Sequence, residues 1–348
     1  MTPKERIAAA INGQEHESPP SFYMGTAPIN REIARKKGIT QDGGSLDNQV
    51  AVSLGADIVF VRPAFTAART GKLDGFRVAD AHAAIHKEKG TQNAAKVPLA
   101  EINSPDQIHD VNCWPDPDDY TYTLVENDLQ YCSSHGVVAR GNGALFLSAV
   151  GLRGMEQFMM DMALNPELCH EILGKITRYF AVRIDRFLET SGEFIDIVDI
   201  GDDVAGQAGM LFSLEMWREF VKPYIEELVA VIKKHGKKAL YFGCGGFRVI
   251  IPDFIDMGID CAGRMQTEAA GNNIEGLKAD FGDKICIWGA LDAQHRVIEG
   301  SEGDVREHVS DVVRAAAPGG RFVAGPTHTF TEDTPVENIL SVYKQLKL

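Results

Sequence analysis

From residue 136 to its end the chain repeats one unit, a short apolar run, a polar punctuation and a longer amphipathic stretch, and that rhythm leaves few folds open. The runs at 136–141, 194–200, 238–243, 259–265, 284–289 and 321–325 have strand length and are bounded by Gly, Asp or Pro. Helical stretches separate them at 154–190, broken near Asn165 and Pro166, and at 214–235, where Pro223 must kink or restart the helix. Further helices are expected at 247–257, 274–281, 301–317 and 336–346. Strands alternating with helices pair in parallel, so the expectation is an α/β fold, a TIM-type (β/α)8 barrel with an elaborated N-terminal region. An open doubly wound sheet is the rival, but no GxGxxG follows the first strand, and the Gly243–Gly246 cluster comes too late to be that fingerprint.

The N-terminal third is less regular. Thr2, Pro3 and Glu5 read as cap, first position and capping-box partner of a helix over 3–13, not as a signal peptide. SFYMG, ending at Gly25, is a strand candidate that would deliver Met24 to a site, and 56–63 is a buried strand ending in Arg62. Residues 31–55 read as helix broken at Gly38 and Gly43–Gly44. Residues 1–55 and 66–120 are taken as elaborations on a single domain spanning 1–348, with hairpins or a flap over 66–96 that would carry Arg69 and Arg77. The 49 acidic against 35 basic residues give a net charge of −14, which repels nucleic acid and anionic membranes. The six cysteines form no CxxC pair, which suits a reducing cytoplasm, and no apolar stretch has membrane-spanning length.

In a barrel the chemistry sits just after each strand. There the sequence places Asp202, Asp203 and Gln207, then Cys244 among three glycines, then Gln266, then Asp292 and Gln294, and last His328. The two acids would orient substrate or act as catalytic groups, the amides and Asp292 would bind substrate edges, and Arg62 would anchor a carboxylate or phosphate. His328 is the favoured acid–base group or metal ligand. For each of the acids the bland alternative is a helix cap, and for Cys244 it is core filling.

Four segments carry a family resemblance: DIVDIGDDVAGQAGMLFSLEMWREFVKPY, GCGGFRVIIPDFIDMGID, LKADFGDKICIWGALDAQH and GPTHTFTEDTPVENI. They resemble the uroporphyrinogen decarboxylase superfamily, which includes corrinoid-linked methyltransferases. The resemblance runs over essentially the whole chain and implies a TIM-type barrel. His328 falls at the family's late histidine. The arginine-rich RQAGR element of the decarboxylases is replaced by MGTAPINR, and Arg62 and Pro63 stand where their early aspartate is expected. The zinc pattern of the thiol-activating methyltransferases is represented by Phe242, Gly243 and Cys244, with His328 in the place of the late cysteine. The resemblance thus implies a zinc site of Cys244 and His328 completed by Asp202, Asp203 or Glu215.

The expected function is methyl transfer from a small O-methyl or N-methyl substrate to a corrinoid held on a separate protein, with a homodimer left open. A decarboxylase or related lyase is the alternative, and a non-catalytic ligand-binding barrel is a third.

Overall fold

The computed structural model describes residues 1–14, 18–40, 45–65, 97–111 and 114–348. The expected flap with Arg69 and Arg77, and Cys113, lie outside the described residues.

Seven strands, β1 Ile58–Val61, β2 Gly136–Asn142, β3 Ile197–Ile200, β4 Lys238–Phe242, β5 Cys261–Met265, β6 Cys286–Leu291 and β7 Phe322–Pro326, form one sheet in sequence order. Every neighbouring pair is parallel. The eighth stave is residues 21–25, which make only isolated bridges, Ser21 to Ala324 and Gly25 to Phe330. On one side the Phe22 N–H donates to Ala324 O at 3.0 Å, and on the other the Asp57 N–H donates to Ser21 O at 2.7 Å. The sheet therefore closes, and the fold is the expected (β/α)8 barrel.

Closure needs help where the stave is irregular. Asp57, buried behind the seam, accepts from the Ser21 N–H at 2.8 Å and from Arg6. Asn48 takes both the N–H and the C=O of Phe60 at 2.9 Å with its amide, doing for β1 what a neighbouring strand would do. Below, the helix Pro3–Ile11 starts at the Thr2 capping box and turns Ile7, Ala10 and Ile11 into the barrel, where they pack with Ile58, Val138 and Val323. That plug shuts the N-terminal end, leaving the C-terminal end for chemistry.

The helices follow the expected rhythm, and the 214–235 stretch restarts at Pro223 as expected, as two helices, Leu214–Phe220 and Lys222–Lys234. The helices Glu126–Cys132 and Leu145–Arg153 were not expected. Among the described residues no helix is long and apolar enough to cross a membrane.

Candidate active site

Strand side chains alternate between barrel interior and helix layer, so one buried anchor fixes the rest. Ile58, Val138, Ile197 and Leu240 belong to the interior apolar cluster. Two residues further up each strand stand Phe60, Arg140, Asp199 and Phe242, one layer nearer the C-terminal mouth. β5 departs from the alternation. Its register against β6 shifts between Ile287 and Gly289, and Arg264 adopts a left-handed conformation with φ 53°. The bulge brings Arg264 over the Phe242 ring, its guanidinium carbon 4.7 Å from the centroid. Arg140 lies likewise over Phe60 at 5.4 Å.

The mouth thus holds two arginines and a carboxyl that the sequence analysis did not single out. Burial pushes the Asp199 carboxyl up to about 6, against the opposing pull of Arg140, the Gly141 N–H and Arg264. Its Oδ1 accepts from Gly141 N at 2.8 Å, where β2 bulges. Burial depresses the Arg140 guanidinium, with Asp199 opposing and Arg264 and Arg62 adding to the depression. Arg140 makes neither a hydrogen bond nor an ion pair with any described residue. The Arg264 Nε is buried without an acceptor among the described residues, and its nearest carboxylate, Asp203, is 3.9 Å from Nη2.

Several of the expected site residues have their polar atoms engaged elsewhere. Asp202 is buried and caps the Leu145–Arg153 helix, accepting from the N–H groups of Phe146 and Leu147, and burial raises its carboxyl to about 7. Asp203 accepts from Cys244 N at 2.9 Å and so ties the loop after β3 to the loop after β4. Gln266, 1% exposed, joins three loops: its Oε1 accepts from Gln207 Nε2 at 2.7 Å and from Gly245 N at 2.8 Å. Asp292 is a cap, its oxygens taken by the N–H groups of Gln294, His295 and Arg296, and Gln294 is half-buried in that turn. Met24 is buried in the barrel interior with Phe22, whose ring stacks on Trp288 at 5.8 Å. Arg62 is exposed at the end of β1, and His328 is half-buried after β7, its ring 3.3 Å from Thr329 O.

The expected zinc ligands do not come together. Glu215 is exposed in the first turn of the Leu214–Phe220 helix, where the helix N-terminus and Ser213 hold its carboxyl below its usual range. Burial pushes the Cys244 thiol up to about 12. Among the described residues no group of three His, Cys, Asp or Glu side chains could hold a metal ion. The described residues thus assemble no zinc site, and no chemistry is routed through one.

A signal for the missed residues did exist. Arg140, Asp199 and Arg264 are charges inside otherwise apolar strand runs, and for Arg140 and Asp199 parity with Val138 and Ile197 points them inward.

Residues 139–347 match the uroporphyrinogen decarboxylase (URO-D) family. No curated protein sequence matches the chain. Among solved structures, a methyltransferase from Methanosarcina mazei superposes with a TM-score of 0.67 at 16% identity, covering 100% of this chain and 98% of that one. A likeness at that identity speaks to the fold.

Proposed function

The chain belongs to the uroporphyrinogen decarboxylase family, and from that premise we propose that it is a methyltransferase acting on a small O-methyl or N-methyl compound. The proposed reaction is that of the structural neighbour from Methanosarcina mazei, a methyltransferase of like fold over the full length. A corrinoid carried on a separate protein would supply the methyl-accepting centre. What falls to this chain is to hold the substrate in the mouth, to exclude water from it, and to deliver a proton to the heteroatom that loses its methyl group.

The observation that carries the reading is Asp199. It is an inward-facing buried carboxyl whose pKa, about 6, lies near neutrality, the range in which a general acid both holds and releases a proton. As the carbon–heteroatom bond breaks, its electron pair stays on the heteroatom and takes the Asp199 proton, and solvent later returns a proton to the carboxylate. The test is incubation with cob(I)alamin and a panel of methoxylated and N-methylated compounds, following methylcobalamin by its absorbance. Methylcobalamin from none of them would refute the reading.

One observation favours decarboxylation as the second reading. Arg62 stands where the decarboxylases' early acid is expected, and Asp199 on β3 is a buried carboxyl that would supply the proton instead. Release of carbon dioxide with uptake of one proton, and no methylcobalamin, would select it. Ligand binding without either reaction would select a binding protein.

A further inference from the structure

The unmatched donors of the mouth say what the ligand carries. Arg140 stands on β2 and Arg264 on β5, with two strands between them, so they face the mouth from different walls. Each guanidinium has one face on an aromatic ring, Phe60 or Phe242, which leaves its in-plane N–H edge as the side able to bind. Arg140 has no hydrogen-bond acceptor among the described residues, and the buried Nε of Arg264 has none. A buried donor left unmatched, as the Arg264 Nε is, costs roughly 1–3 kcal/mol, more when charged, and a bound acceptor removes that cost.

We propose that Arg140 and Arg264 form a carboxylate clamp, so that the substrate is a small monocarboxylic acid held between the β2 and β5 walls with its reacting end toward Asp199. The planar two-oxygen edge of a carboxylate matches the guanidinium fork, which a lysine pair would not reproduce. Asp203, 3.9 Å from Arg264, already brings negative charge into the same space, which suits a monoanion better than a phosphate dianion. The clamp rests on the reading above only in placing the substrate in the barrel mouth.

Titration calorimetry without cobalamin tests it, using 4-methoxybenzoate and methoxyacetate against the neutral ether anisole, with inorganic phosphate as a competing anion. The acids are expected to bind about ten-fold to a hundred-fold more tightly than anisole, the gain of one or two charge-assisted hydrogen bonds. Arg140→Gln or Arg264→Gln should bring that preference to within about two-fold. Arg264→Lys keeps the charge, loses the fork, and serves where the glutamine variant does not fold. Equal binding of acid and ether, tighter binding of phosphate, no binding of either acid at about 10 mM, or a preference that survives both substitutions would each overturn the clamp. Acids that bind without methyl transfer would refute the methyltransferase reading and leave the clamp standing. Methyl transfer from neutral ethers with no preference for acids would do the reverse.

Discussion

At the scale of single residues, the barrel mouth separates two kinds of aspartate that look alike in sequence. Asp202 and Asp292 follow strands directly and spend their oxygens on backbone N–H groups, whereas Asp199 lies inside its strand and faces the interior. Asp199→Asn keeps an acceptor for the Gly141 N–H and removes the proton, so methyl transfer should fall about 100-fold while the fold persists. Steady-state rates across pH check this, because the limb near 6 should vanish with the carboxyl; an unchanged rate would remove Asp199 from the chemistry. Asp202→Ala should instead cost stability, about 1–2 kcal/mol for a lost helix cap, read from urea unfolding, and leave carboxylate binding intact in the folded protein. The caps were legible only as alternatives, because a strand-end aspartate has the same local sequence whether it binds a helix terminus or a ligand. Arg140 and Arg264 escaped attention because a charge within an apolar run reads as a face toward solvent until the barrel closes. For Arg264 even parity is insufficient, since the β5 bulge turns it inward.

At the scale of elements, alternation made the strands legible, and its absence hid what remained. Eight of the nine residues of the Leu145–Arg153 helix are buried, so it has no polar stripe and no period to read. The eighth stave makes two bridges and leans on Asp57, a contact from a distant part of the chain that no local pattern announces. Packing between staves also supports the clamp. A Cβ built on Gly263 would lie 2.4 Å from Phe242 Cδ2, so the ring on which Arg264 rests fits only because residue 263 lacks a side chain. Gly263→Ala should therefore displace the ring, destabilise the barrel by about 1–3 kcal/mol and weaken binding of 4-methoxybenzoate more than that of anisole. Thermal unfolding and calorimetry on one preparation separate the two effects. Equal loss for both ligands would mean that the ring supports the barrel and not the arginine.

For the whole molecule, the charges that equip the mouth work against its stability at neutral pH. Burial raises Asp199 to about 6 and Asp202 to about 7, both from 3.8, so between pH about 4 and 7 the folded chain holds protons that the unfolded chain releases. Stability contributed by these groups is complete below the unfolded pKa and declines as pH rises through the folded values. Asp161 and Asp253 act in the opposite sense. Burial pushes each upward, but hydrogen bonds from Arg153, Gln157 and Asn165 to Asp161, and from Arg218 and Lys222 to Asp253, outweigh it and hold both below 3.8. Their contribution is present above 3.8 and is lost as pH falls through their lowered values. These groups together place maximal stability near pH 4 to 5, with an acid limb from the paired aspartates and a shallower decline toward neutrality from the barrel mouth. The melting temperature should accordingly fall from pH 5 to 7.5, and the double variant Asp199→Asn/Asp202→Asn should flatten that decline while leaving the acid limb in place. A wild-type decline that the double variant reproduces would assign the slope to other groups. If the variant is flat, the ionisation that lets Asp199 exchange its proton near neutrality is the same event that loosens the barrel, and a carboxylate ligand between Arg140 and Arg264 should raise the melting temperature most at the lower end of the range, where Asp199 is neutral and leaves the arginines unbalanced.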